Sequence, residues 1–244
     1  MNQQAQHRDW SLYNQAQTQE KLLAMRLISH AVDFLQIPYE YKGNGRPHIS
    51  VDDMLKCLVF KVFNNFSSRR TMCDIRLAHA LGYIQEVPHF NSLSNYMGKE
   101  EITTYLHRLY KVLAMPLRDV ETTFAIDGSG FSNLRKNSWI DYRLQKKRIT
   151  GWKKLHIVTG VTSTIVASAT ISEGRRHDSP YFESLIRSTA KDFKILEVLA
   201  DSGYISKDNC NTVEECGGIP FILPKKNVRV KRLYHYRKNI AWRR

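Results

Sequence analysis

The stretch TTFAID at residues 122–127, read together with ILEVLAD at 195–201, decides the fold. Each is a short run of apolar and β-branched residues closing on an acid, Asp127 in the first and Asp201 in the second. Between them, KLHIVTGVT (154–162) and TIVASATIS (164–172) read as two further strands joined by a turn around Thr162 to Thr164, a β-meander with the first. DSPYFESLIRSTAKD (178–192) reads as a helix, with Ser179 as N-cap and Pro180 at its first position. After Asp201, SKDNCNTVEECGG (206–218) is a helix closed by Gly217 or Gly218, and IPFILPK (219–225) is a fifth strand. The predicted order is β-β-β-α-β-α-β, an α/β domain.

Outward toward the N-terminus the texture changes near Asp119, where a domain boundary is expected. From about Thr18 to Leu117 apolar residues recur at three-to-four spacing, beginning with Leu22, Leu23, Met25, Leu27 and Ile28. Ser50 precedes VDDMLKCLVFKVFNNF with Asp52 and Asp53 in the first turn, which predicts a helix start. A second helix runs from about Ser68 to a cap at Gly82, and after VPHFNSL a third covers Lys99 to Leu113, closed by Pro116. Such short helices suit either ordinary packing or a helix-turn-helix unit that docks DNA. The expected division is 1–117 helical and DNA-binding, 118–224 α/β, and 225–244 a basic tail.

The chain's 244 residues are 42% hydrophobic, enough for a buried core. It has no long apolar run and no secretory start, so a cytoplasmic protein is expected. Cys57, Cys73, Cys210 and Cys216 lack zinc-ligand or CxxC spacing and read as reduced thiols. The net charge is +14, and it is concentrated. Residues 132–154 carry eight Lys or Arg against one acid, and residues 225–244 carry nine against none. Basic excess gathered into two short segments suits either a solvated surface or one that binds a polyanion with release of counterions.

Asp127 and Asp201 lie 74 residues apart in sequence, yet parallel pairing of the first and fourth strands would bring them to one sheet edge. Two such carboxylates suit Mg²⁺ or Mn²⁺, which take hard oxygen ligands and activate phosphodiester chemistry. Either acid alone reads more readily as a plain turn residue, before Gly128 and before Ser202–Gly203 respectively; it is the pair at two strand ends that points to metal.

AIDGSGF (125–131) and LADSGYIS (199–206) resemble the first- and second-aspartate motifs of insertion-sequence DDE transposases of the IS4/IS5 type. WKKLHIVTG (152–160) and GRRHDSPYF (174–182) resemble the segments between those motifs, and the resemblance covers roughly residues 45–230. It implies an RNase H-like sheet behind a DNA-binding helical region, with Asp127 and Asp201 as catalytic metal ligands. Implied partners are DNA, both the element's ends and its target, and further transposase subunits.

The family's later Tyr-x-x-Arg-x-x-x-Glu helix has no counterpart. Tyr234 and Arg237 fit its first positions only by an accidental match, with Ala241 where the glutamate would fall, and no Asp or Glu follows Glu215. A truncated or frameshifted reading frame is therefore expected, with the final catalytic helix missing and little transposition by this chain alone.

DNA contacts are expected from Arg135, Lys136, Lys146, Lys147, Arg148, Lys153, Lys154, His156, Lys225 and Lys226, with Trp152 and Tyr142 as base-stacking or core aromatics. His177 reads as a loop residue and Asp178 as a complement to the following helix N-terminus, with a catalytic role for the pair as the alternative. Two alternatives stay open: a non-catalytic DNA-binding remnant or inhibitor of full-length transposase, and a nuclease in which Glu173 or Glu183 completes the site.

Overall fold

The computed structural model describes residues 9–39, 41, 43–45, 47–132, 152–174 and 176–223. The chain divides into two compact units, Met1–Leu113 and Ala114–Arg244.

In the first unit α1 (Trp10–Phe34) begins where the Asp9 carboxylate accepts the Ser11 and Leu12 amides at 2.9 and 3.1 Å. That cap extends the helix N-terminally of Thr18 by about two turns whose residues are all exposed. α2 (Val51–Phe63) starts at Ser50, whose hydroxyl accepts the Asp53 amide at 3.1 Å, and α3 (Ser68–Ala80) is followed by Gly82 at φ +79°. α4 (Phe90–Met97) was not expected from VPHFNSL. Its cap is the His89 ring, which accepts the Asn91 amide at 3.3 Å, and a histidine cap lacks the usual Ser, Thr, Asp or Asn signal. α5 (Glu100–Ala114) completes the helices.

Met25, Val32, Leu55, Phe60, Ile75, Leu93 and Ile102 form one buried core. Buried Asp53 accepts the Gln85 and Glu86 amides at 2.8 and 3.0 Å, fastening the loop after α3 to α2.

The second unit is a five-stranded mixed sheet of β1 (Thr123–Ser132), β2 (Trp152–Gly160), β3 (Val166–Glu173), β4 (Glu197–Ala200) and β5 (Ile219–Ile222). The strand order is β3-β2-β1-β4-β5, with β1–β2 and β2–β3 antiparallel and β1–β4 and β4–β5 parallel. This is the RNase H-like arrangement, preceded by helices. α6 (Phe182–Asp192) packs on β2 and β3, and α7 (Lys207–Glu215) packs on β5 and on α6. Period-two alternation puts Phe124, Ile126, Val158, Val198 and Ile222 into a core with Phe182, Ile186 and Val213.

Two boundaries differ from the sequence reading. β1 does not end at Asp127; it continues to Ser132 because its antiparallel partner β2 outlasts its parallel partner β4. Nor does Ser179 cap a helix: a 3-10 turn occupies Ser179–Tyr181, α6 starts at Phe182, and the Ser179 hydroxyl instead accepts the Asn209 amide group at 3.0 Å. The expected basic tail and the question of a final helix fall outside the described residues. Among the described residues no helix is long and apolar enough to cross a membrane.

Glu121, just before β1, is buried and accepts the Thr162 amide at 3.1 Å and the Ser163 amide and hydroxyl at 2.8 Å each. It thereby ties the start of β1 to the β2–β3 turn, and a Cβ at Gly160 would collide with its carboxylate. Burial alone would raise the Glu121 pKa, but the hydrogen bonds from Ser163, Thr123 and Thr162 together leave it below the ordinary glutamate value. A depressed carboxylate stabilises the fold above its unfolded pKa, and that stability is lost as pH falls through the lower folded value. Thermal melts from neutral pH down to about pH 3 should show Glu121→Gln less stable than the parent at neutral pH, by about 1–3 kcal/mol, with the gap closing on acidification. A gap independent of pH would remove the carboxylate from this role.

Candidate metal centre

The parallel register of β1 and β4 ends at Ile126↔Ala200, so Asp127 and Asp201 are the next residues on adjoining strands. Each carboxylate is oriented by its own turn. Asp127 Oδ1 accepts the Gly128 amide at 2.7 Å, and Asp201 Oδ1 accepts the Gly203 amide at 2.8 Å as the cap of a 3-10 turn at Ser202–Tyr204. Both residues are solvent-exposed.

A third acid approaches from the α6 side. Asp178 makes no capping hydrogen bond at the turn it precedes, contrary to the sequence expectation. Its Oδ1 pairs with the Lys154 ammonium and lies 3.5 Å from His156 Nδ1. His156 is wholly buried, its Nε2 is 2.8 Å from the Ser172 hydroxyl, and its ring stacks on Tyr181 with centroids 4.4 Å apart. Burial holds this imidazole below its ordinary pKa, with Asp178 pulling up and Lys154 pushing down, so it is neutral at neutral pH. Gly128 leaves room for the group: a Cβ there would stand 3.0 Å from Lys154 Cε, 3.1 Å from Asp178 Oδ1 and 3.3 Å from His156 Nδ1.

Tyr204, one turn beyond Asp201, is buried. Burial pushes its hydroxyl pKa up, and the negative charges of Asp178, Asp127 and Asp201 push it further the same way. Among the described residues, no group of three or more His, Cys, Asp or Glu side chains is drawn together closely enough to hold a metal ion. Two carboxylates with hard oxygens fit a divalent ion in type, and the third stands alongside, engaged by a lysine.

The remaining expected contacts divide sharply. Lys153 is exposed and paired with Glu173, whose pKa that hydrogen bond lowers, and Lys154 is committed to Asp178. His156 does not present a surface for DNA, because its ring is enclosed between Ser172 and Tyr181. Trp152 is half-exposed. Arg135, Lys136, Tyr142, Lys146, Lys147, Arg148, Lys225 and Lys226 lie outside the described residues. Glu173 and Glu183 are engaged by Lys153 and by Arg187 respectively, the latter at 2.9 Å. Sequence reasoning set Asp178 at a helix N-terminus, with a catalytic role as the alternative, and did not single out Tyr204. The His177–Asp178 dipeptide was a visible signal, but its partners come from β2 and become neighbours only on folding.

A family model described as "Transposase DDE domain" matches residues 118–244, just over half of the chain. The chain belongs to the transposase DDE domain family. A second model, "Transposase domain (DUF772)", matches residues 12–99. No curated protein sequence matches the chain. Among solved structures it is similar to a piggyBac transposase in a synaptic complex with hairpin DNA, at 12% identity and a TM-score of 0.39 over 86% of this chain. The chain spans about half of that transposase chain, 52% of its length.

In this DDE domain, Gly128→Ala should overpack the Lys154–Asp178–His156 group and cost about 1–3 kcal/mol in a urea denaturation series. An unchanged midpoint would mean that the three side chains have room to retreat.

Proposed function

We propose that the chain acts as an insertion-sequence transposase of the IS4/IS5 type, in which Asp127 and Asp201 hold Mg²⁺ or Mn²⁺ for DNA strand cleavage and transfer. The observation that carries this reading is the parallel β1–β4 register, which leaves the two aspartates side by side at one strand edge. A bound divalent ion would supply Lewis-acid polarisation of a phosphoryl oxygen there. The chain's own part is orientation: the Gly128 and Gly203 amides fix one oxygen of each carboxylate, leaving the other free to face a cation.

DNA binding is assigned to two sources. The helical unit supplies α3, whose exposed surface carries Arg69, Arg70 and Arg76 while its one acid, Asp74, is buried and paired with Lys21 at 2.7 Å. The basic segments 132–154 and 225–244 supply phosphate contacts to the element's ends and target.

No Asp or Glu follows Glu215 in these 244 residues, so this stretch tested by itself is expected to give little strand transfer. The same observation favours a second reading, a DNA-binding remnant that occupies transposon ends or associates with full-length transposase as an inhibitor.

Mn²⁺-dependent cleavage of DNA carrying the element's ends separates these readings. The 244-residue chain is compared with a version extended through a glutamate-bearing helix. Cleavage by the extended version alone is expected; equal cleavage by both would mean that the missing glutamate is dispensable. Asp127→Asn and Asp201→Asn should each weaken Mn²⁺ binding by about tenfold or more while leaving salt-sensitive DNA binding intact. Unchanged metal affinity in both variants would sink the paired-carboxylate site. Neutralising the nine basic residues of 225–244 should flatten the dependence of DNA affinity on salt. An unaltered slope would assign that segment no phosphate contacts.

A further inference from the structure

Helix α1 is apolar on two faces. One carries Met25, Ile28 and Val32 into the core of the helical unit. On another, Ala16, Glu20, Leu23, Leu27, His30 and Phe34 are all exposed, Leu23 by 41%, Leu27 by 57% and Phe34 by 65%. Their alternating spacing of four and three is that of the a and d positions of a coiled coil, so these residues line one seam along the helix. A surface helix ordinarily turns polar residues outward, and two leucines with a phenylalanine along one exposed seam mark a packing surface. Core support is also lacking at the start of the helix. Every residue from Trp10 to Glu20 is exposed, about three turns that are marginal in water without a packed face.

The seam is complementary to its own reverse. Turned antiparallel about the level of Met25, it sets Ala16 against Phe34, Glu20 against His30 and Leu23 against Leu27 of a second copy, each pair equidistant from Met25 along the chain. A small side chain meets a large one, an acid meets an imidazole that can donate to it, and leucine meets leucine. A parallel pair would instead oppose Glu20 to Glu20 and Phe34 to Phe34, losing both the polar match and the fit of sizes. From Ala16 to Phe34 the seam is about 27 Å long. A single helix pair of that length falls at the low end of specific interfaces, which fits a concentration-dependent dimer and not an obligate one.

We propose that the exposed seam of α1 is a self-association surface, on which a second copy of this chain docks its own α1 antiparallel about Met25. The Leu23 and Leu27 layers form its centre, and the Glu20 and His30 layers on either side fix its register. The surface stands apart from the Asp127–Asp201 edge and does not depend on metal binding there.

Sedimentation velocity of the full chain over roughly two decades of protein concentration tests this. A dimer that grows with concentration is expected, and Leu27→Glu should weaken it by about tenfold or more, with an unchanged helical circular-dichroism spectrum. The register is read from a charge swap. His30→Glu opposes two carboxylates in each polar layer and should weaken the dimer by about tenfold, and adding Glu20→Arg to that variant should restore it. Recovery also shows that the loss in His30→Glu is not misfolding. A monomer at every concentration overturns the proposal, and so does a dimer unmoved by Leu27→Glu, which would belong to another surface. Weakening by His30→Glu with no recovery in the double variant overturns the antiparallel pairing.

Discussion

The parallel pairing of β1 with β4 is the constraint on which the rest of the second unit depends. A parallel pair cannot be closed by a hairpin, so the chain between the two strands must cross over, and it does so through β2, β3 and α6. β1 thereby becomes the sheet's central strand, hydrogen-bonded on both edges. Its inward residues Phe124 and Ile126 are buried against α6 and α7 residues such as Phe182 and Val213. The same pairing runs in register as far as Ile126 and Ala200, so the placing of Asp127 and Asp201 after those two residues is a by-product of how the core closes.

Polar groups near that edge are costly to bury, and the fold offsets the cost locally. Glu121 receives three hydrogen bonds from the β2–β3 turn, and His156 shares one with Ser172 while stacking on Tyr181. Asp178 and Lys154 neutralise each other where a lone charge half-removed from water would be unfavourable. The Tyr204 hydroxyl and His156 Nδ1 are left without hydrogen bonds, and His156 Nδ1 lies 3.5 Å from Asp178 Oδ1.

The helical unit follows a different logic. Its helices are delimited by short-range caps, Asp9, Ser50, Ser67 and His89, and held by an apolar core of its own. One buried acid, Asp53, bridges elements by accepting two loop amides. Surface arginines on α3 are consequently free of structural work, apart from cation–π contacts of Arg69 with Phe90 and Arg70 with Phe66.

Sequence alone determined the elements whose signals are local: the five strands and their order, the helices at Val51–Phe63 and Ser68–Ala80 with their serine and glycine punctuation, and the prominence of Asp127 and Asp201. These depend on periodicity, β-branching and capping within a few residues. It did not reveal α4, because a histidine cap carries no such signal, nor that β1 runs past Asp127, because strand length is set by the partner strand. Tertiary structure alone decided that His156 is enclosed and not a surface contact, and that Asp178 answers Lys154 in place of a helix terminus. Residues 128, 154, 156 and 178 meet only after β2 pairs with β1 and the turn before α6 folds back over them, and no spacing along the chain encodes that meeting.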